Sequence, residues 1–415
     1  MDLTPFDAVQ ARIVAVDRAF PDELLISIND RVPAYHDVWR VDTQTGERTL
    51  VLQNDDGYSG FLADSRFDIR VAYRMNPDGS ITVLFRDTVN TPWYELIRFD
   101  LEDAASSGAL QFSRDGRTLF LQDSSRGDTA ALYAYRLNRD GTRSYDLLVS
   151  DLRADLADVL FSPVDGEPEA AAFEYLRREW TPLNAAFAGD WALLTQNVDG
   201  DLSVASQDFA NRRWIIAAAR DNGPTAYYLY DREVGEARFL FSNRPELEGV
   251  RLAPMEPVVI TSRDGLPLVS YLTLPQGAIT KPLPMVLLVH GGPWARDQWG
   301  YSPVHQWLAN RGYAVLSVNF RGSTGFGKAF LNAGNREWSK RMHDDLIDAV
   351  NWAVAGGIAD PARVAIMGGS YGGYATLVGL TFTPEVFAAG VDIVGPSHIR
   401  TLLETIPPYW APLKA

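Results

Sequence analysis

The stretch GGSYGGY, Gly368 to Tyr374, sets one serine, Ser370, among four glycines directly behind the short apolar run RVAIM (Arg363 to Met367). Gly368-Gly369-Ser370-Tyr371-Gly372 fits G-x-S-x-G, the sharp strand-to-helix turn that presents a nucleophilic serine for acyl transfer. The residue at such a corner is strained, and glycines beside it let neighbouring backbone pass close by. The hydroxyl then points out of the carboxyl edge of the sheet, where open α/β sheets bind ligands. Taken alone, the same residues could also be a glycine-rich turn holding phosphate at a helix N-terminus.

A second element narrows the choice. VHGGPWARDQW (Val289 to Trp299) follows an apolar strand well upstream of the serine. Acyl transfer needs backbone N–H donors aimed at the developing oxyanion, one from the residue after the nucleophile and one from an upstream loop of this HGG type. Tyr371 N–H and a donor from Gly291 or Gly292 fill those roles.

The elements that must position these groups alternate along the C-terminal part. A β-hairpin is expected around Arg263-Asp264-Gly265, then strands at Met285 to Val289, Ala314 to Val318, Arg363 to Met367 and Ala388 to Val394. Helices are expected over Val304 to Asn310, over Asp344 to Ala355 and after Ser370. Continuous apolar strands alternating with amphipathic helices predict a parallel sheet with helices on both faces. His343, Asp344 and Asp345 read as a helix start, where Asp caps free N–H groups, rather than as a metal or acid–base cluster.

From Ala8 to Asn243 the texture differs: short apolar or aromatic runs are separated by turn signals, and the half reads as all-β. Four segments echo one unit: Asp37 to Val51, Glu95 to Asp103, Leu132 to Val149 and Tyr227 to Phe241. Asp-Gly turns fall between them, as in NPDGSITVLF (Asn76 to Phe85). A period of roughly 40–50 residues with four strands each describes a β-propeller of about five or six blades. A proline-spaced connector at Asn243 to Ile260 then predicts a boundary that makes residues 1–252 the propeller and 253–415 the hydrolase domain. His36 lies in the β half as a structural or surface residue.

The composition excludes several classes. Lys and Arg number 38 against 53 Asp and Glu, a net charge of −15, which argues against nucleic acid as a partner. There is no cysteine, so disulfides and thiol chemistry are out. No basic-then-apolar leader opens the chain and no run is long enough to span a membrane, so a soluble, cytoplasmic protein is expected, with no membrane partner. No cofactor or metal is called for.

The C-terminal part, from about Met255, resembles the prolyl oligopeptidase family of serine peptidases and within it the acylaminoacyl-peptidase-like branch. The residues that carry this are HGGP (His290 to Pro293), NFRGSTGFG (Asn319 to Gly327), MHDDLIDAV (Met342 to Val350) and GGSYGGY, with the opening hairpin SRDGLPLVSYLTLP (Ser262 to Pro275). The resemblance implies a peptidase acting on short peptides through an acyl-enzyme, with a propeller restricting access. It carries Ser370 over as nucleophile and the amides of Tyr371 and Gly292 as oxyanion donors. His290 stands where some relatives place a tyrosine hydroxyl, so it and Arg321, in its loop, become candidate substrate contacts. For Arg321 the plainer reading is a loop arginine satisfying carbonyls.

This fold orders its triad as nucleophile, acid, histidine, with the last two after later strands. Of the five histidines, His36, His290, His305 and His343 precede the serine, and His398 follows too soon for the base by family topology. Asp392 lies inside an apolar strand and reads as structural. The sequence is therefore expected to be a member truncated before the catalytic Asp and His, nearly inactive alone and poorly soluble through open sheet edges. Competing readings are a carboxylesterase-like hydrolase with a fused propeller and a non-catalytic propeller scaffold.

Overall fold

The computed structural model describes residues 2–138, 140–277 and 280–406. The β-rich half forms five separate antiparallel sheets, each built from strands consecutive in sequence. Four have four strands, and one, from Leu156 to Pro182, has three. The predicted echoes fall on the last one or two strands of their sheets. Tyr227 to Phe241, for instance, covers the last two strands of its sheet, Ala226–Asp231 and Glu236–Ser242. The turn at Asn76–Ser80 shows why these hairpins close where they do. Gly79 sits at φ +82°, a conformation costly for any residue with a Cβ, and its N–H donates to Asn76 O at 2.9 Å. Asp78 Oδ1 accepts from Ser80 N at 3.1 Å.

Two elements depart from the all-β expectation, the first a single helical turn at Leu101–Ala104. Residues Ala185–Asn197 form a helix (α1), capped by Asn184, whose side chain accepts from Phe187 N. Its buried Phe187 and Leu194 pack against Trp214, Ile216 and Tyr230 of the fifth small sheet. Burying one such large apolar side chain stabilises by about 1.5–3 kcal/mol, enough to hold a short helix that would be marginal alone.

By contact density the chain falls into two compact units: residues 2–150 with 164–167, and residues 151–163 with 168–406. The first three small sheets lie in the former. The last two lie in the latter, together with a six-stranded sheet.

That sheet comprises β1 (Met255–Thr261), β2 (Pro267–Thr273), β3 (Leu283–Val289), β4 (Ala314–Val318), β5 (Ala359–Gly369) and β6 (Ala389–Ile393), in spatial order β1-β2-β4-β3-β5-β6. β4, β3, β5 and β6 are mutually parallel, whereas β1 and β2 pair antiparallel. The sheet is thus mixed at one side, because a two-strand hairpin can extend an edge without a crossover helix. Strand alternation sorts the core into two layers. Met285, Leu287 and Val289 face the cluster holding Met342, Leu346 and Val350 of helix α3 (Arg341–Ala355) and Tyr374 and Val378 of helix α4 (Tyr371–Phe382). Val286 and Val315 instead pack with Leu308 of helix α2 (Pro303–Ala309).

The start of α3 is not the expected cap. Its N-cap is Lys340, without a side-chain cap bond, and Asp345 serves another purpose. Arg321, 2% exposed, donates Nε and Nη2 to Asp345 (2.8 and 2.7 Å) and Nη1 and Nη2 to Asp264 (2.9 and 2.8 Å). Its own backbone N–H also reaches Asp345 Oδ2 at 2.9 Å. The arginine ties the loop after β4 to α3 and to the β1–β2 turn.

Candidate active site

Ser370 occupies the corner between β5 and α4 with φ +55° and ψ −117°. That left-handed conformation costs a non-glycine residue on the order of 1–3 kcal/mol and persists only where its surroundings enforce it. Here Ser370 N donates to Ile393 O at 2.9 Å, and Ser370 O accepts from Tyr374 N at 3.0 Å. The side chain is exposed.

The glycines around it are set by contact. A Cβ on Gly368 would lie 2.5 Å from Gly372 O, and one on Gly372 would lie 2.1 Å from Val289 O. One on Gly373 would meet Asp392 Oδ1 at 2.2 Å. The end of β3, the corner and the first turn of α4 therefore touch backbone to backbone, and no side chain fits between them. Asp392 itself accepts from Gly395 N at 2.8 Å, holding the turn after β6.

The same packing brings the upstream loop to the serine. A Cβ on Gly291 would sit 3.1 Å from Gly369 O and 3.4 Å from Ser370 Cβ. Gly292 follows at φ +120°, where a substituent would run into Trp294 N at 2.6 Å. Tyr371 begins α4, where backbone N–H groups have no partner inside the helix. Its ring is buried against Phe320, Trp338 and Tyr374, with its hydroxyl 3.7 Å from Met342 Sδ, and burial pushes the phenol pKa up. The structure thus places Ser370, Gly291, Gly292 and the Tyr371 amide at one corner of the carboxyl edge.

His290 and Arg321 stand differently. His290 Nδ1 donates to Gly291 O at 2.7 Å, Nε2 lies 2.9 Å from Ser323 Oγ, and the ring stacks on Phe320 at 4.5 Å. Burial lowers its pKa to about 4, so it is neutral near pH 7 and acts as a brace between two loops. Arg321 spends its guanidinium on two carboxylates. The other histidines also have partners away from the serine: His305 with Thr273 and Ser317, His343 with Thr383, and His398 with Thr401, where it caps the helix Ile399–Thr405. His36 lies on the strand Tyr35–Asp42. Among the described residues, no hydrogen bond joins Ser370 Oγ to a histidine or carboxylate, and no group of three or more His, Asp or Glu could hold a metal ion.

Two neighbours within the quoted VHGGPWARDQW stretch escaped the reading. Arg296 bonds the carbonyls of Glu174 and Tyr175. Asp297 is a buried carboxyl whose Oδ2 has no partner and whose pKa desolvation raises to about 7. A charged pair four residues after the glycine turn was the available signal.

A profile described as the prolyl oligopeptidase family matches residues 299–411, which include Ser370 and Tyr371 but not Gly291 and Gly292. This C-terminal part of the chain is similar to the prolyl oligopeptidase family. It is 49% identical over 417 residues to dipeptidyl aminopeptidase BIII of Pseudoxanthomonas mexicana, covering 99% of this chain and 60% of that one. It is 36% identical to dipeptidyl peptidase family member 6 of Caenorhabditis elegans, covering 97% and 58%. Among solved structures, a puromycin-hydrolyzing peptidase of Mycobacterium tuberculosis superposes with a TM-score of 0.72 at 20% identity, covering 98% of this chain and 65% of that one. That last likeness is one of fold. The chain spans about 60% of the length of the curated relatives it matches. Among the described residues no helix is long and apolar enough to cross a membrane.

Proposed function

We propose that this chain carries the nucleophile and oxyanion donors of a serine peptidase that cleaves short peptides through an acyl-enzyme. The observation that carries the proposal is the strained Ser370 corner, with the Gly291 backbone packed against Ser370 Cβ. In the reaction Ser370 Oγ attacks the scissile carbonyl and gives its proton to a general base. The carbonyl oxygen becomes an oxyanion that accepts from Tyr371 N–H and from a backbone N–H of Gly292 or Gly291. Collapse expels the amine, which takes the proton from that base, and water then releases the acyl group.

Among the described residues none of the five histidines partners Ser370 Oγ, so the base and its acid are read as lying outside the described residues. On that reading the 415-residue chain alone turns over on the order of 10⁶-fold more slowly than a complete triad would. His290 is read as a loop brace and Arg321 as a structural tie.

Residues 1–252 are read as propeller and 253–415 as the hydrolase part, a division supported by five small antiparallel sheets ahead of one mixed sheet. Relatives that align over nearly the whole chain are named for dipeptidyl activity, which favours release of dipeptides from a free N-terminus over the acylaminoacyl preference that the motifs suggest.

The test uses the full-length protein and three fluorogenic substrates: a dipeptidyl amide with a free amine, its N-acetylaminoacyl counterpart and a simple aryl ester. Preferred cleavage of the dipeptidyl amide, abolished in Ser370→Ala, supports the reading. Preference for the acetylated amide would restore the acylaminoacyl branch, and turnover of the ester alone would make the protein an esterase.

A further inference from the structure

The loop that carries Gly291 and Gly292 is not held by its own strand alone. Arg296, a few residues on, donates from Nη1 to Glu174 O at 2.6 Å and from Nη2 to Tyr175 O at 3.1 Å. Its guanidinium carbon lies 4.3 Å above the Phe326 ring. Gly325 stands bare beside it, at φ +93°, and a Cβ there would fall 2.6 Å from Nη1. Thr324 N donates to Ala295 O at 2.9 Å, closing the gap between the two loops. Three further contacts join the same pieces. Gln298 Nε2 donates to Glu174 Oε2 at 3.0 Å, Tyr271 Oη donates to Leu176 O at 3.0 Å, and the Arg177 guanidinium lies 3.6 Å over Trp299. All these residues belong to one compact unit.

We propose that Arg296 is a positioning residue for the reaction. It clamps the oxyanion loop, Gly291 to Ala295, between the carbonyls of Glu174 and Tyr175 and the Gly325–Phe326 turn. Its acceptors are backbone carbonyls, and no ion pair involves Arg296 among the described residues, so charge neutralisation does not explain its placement. What the site uses is the planar fork: two donors for two successive carbonyls and a flat face for the aromatic ring. Lysine has the charge but neither the second fixed donor nor the face. The segment Glu174 to Arg177 is the hairpin turn between the second and third strands of the three-stranded sheet, so the geometry at Ser370 is coupled to that sheet and not only to the sheet that bears the serine.

This rests on the proposed acyl-enzyme reaction, and the tests keep the two separable. In the full-length protein, Arg296→Lys and Arg296→Met are compared with Gly325→Ala, which pushes on the same guanidinium from the other side. Misplacing one oxyanion donor costs on the order of 10²-fold in rate. A fall of about that size in kcat with KM changed less than about threefold is expected for Arg296→Met, with only small recovery in Arg296→Lys. Hydrogen exchange gives a readout independent of activity: amides of residues 290–299 exchange faster in all three variants, while residues 283–289 of β3 do not. Unchanged exchange in 290–299, or wild-type kcat in Arg296→Met, overturns the proposal. If Arg296→Met fails to fold, Arg296→Lys and Gly325→Ala decide by the same criteria. If the wild-type protein cleaves no substrate, the reaction reading falls and exchange alone judges the clamp.

Discussion

Arg321 separates two roles that its sequence context leaves open, substrate contact and structural tie, and replacing it with methionine gives opposite results for the two. In the structure the guanidinium is 2% exposed and Asp345 has no exposed side-chain surface, while Asp264 is 38% exposed. Removing one partner of such a buried pair leaves an uncompensated charge and costs roughly 3–5 kcal/mol. The more exposed Asp264 link adds no more than about 1 kcal/mol after solvent screening. For a folding unit of this size each kcal/mol moves the melting temperature by about 2–4 °C, so Arg321→Met should melt on the order of 10 °C lower. Adding Asp345→Leu should recover much of that loss, because an apolar pair of similar volume removes the stranded carboxylate. Thermal melts of the full-length protein, run beside KM for a dipeptidyl amide, form the assay. A melting point within about 2 °C of wild type together with a KM raised tenfold would refute the tie and return Arg321 to the substrate.

Other consequences follow from burial and close approach. His290 and His305 each have their pKa lowered to about 4 by burial. An unfolded chain takes up the proton first as pH falls, so their contribution is intact above about pH 6.5 and lost between there and pH 4, up to about 3 kcal/mol each. Urea titrations at pH 7.5, 5.5 and 4.5 should show this loss, reduced in His305→Gln, whereas an identical slope in that variant speaks against it. Gly372→Ala, whose Cβ would sit 2.1 Å from Val289 O, should destabilise by several kcal/mol or prevent folding. Gly189→Ala should do the reverse: it lies in α1 with nothing within 4 Å, and alanine there gains about 0.5–1 kcal/mol of helix propensity.

Periodicity made much of the α/β half legible. The strand expected at Ala314 to Val318 has those bounds in the structure, and the helix expected over Val304 to Asn310 runs Pro303–Ala309. The strand's apolar residues face two packed layers and those of the helix face one, which makes both legible from pattern. α1 is not legible because only Phe187 and Leu194 of its residues are buried, leaving little helical stripe to see. The antiparallel placement of β2 beside β4 is a tertiary fact that no local pattern encodes.

At the site, the glycines of GGSYGG and HGG announced close backbone approach, and the structure gives Gly368, Gly372, Gly373, Gly291 and Gly292 a reason in a named contact, while a Cβ on Gly369 would meet only Ile393 O at 3.9 Å. The pairing of Arg321 with Asp345 and Asp264 was not legible, since it joins residues far apart in sequence. Asp344 and Asp345 looked alike at a helix start, yet Asp344 takes Arg263 on the surface and Asp345 takes Arg321 in the core. The charged pair Arg296-Asp297 was visible after the glycine turn, but the partners of Arg296 are main-chain carbonyls far away in sequence, so its role was not legible.

The most direct test of Ser370 as nucleophile is covalent labelling of the full-length protein with a fluorophosphonate, followed by peptide mapping by mass spectrometry. One adduct per chain on the peptide containing Ser370, absent in Ser370→Ala together with all peptide hydrolysis, is the predicted result. An adduct on another serine, or hydrolysis that survives Ser370→Ala, would contradict the account.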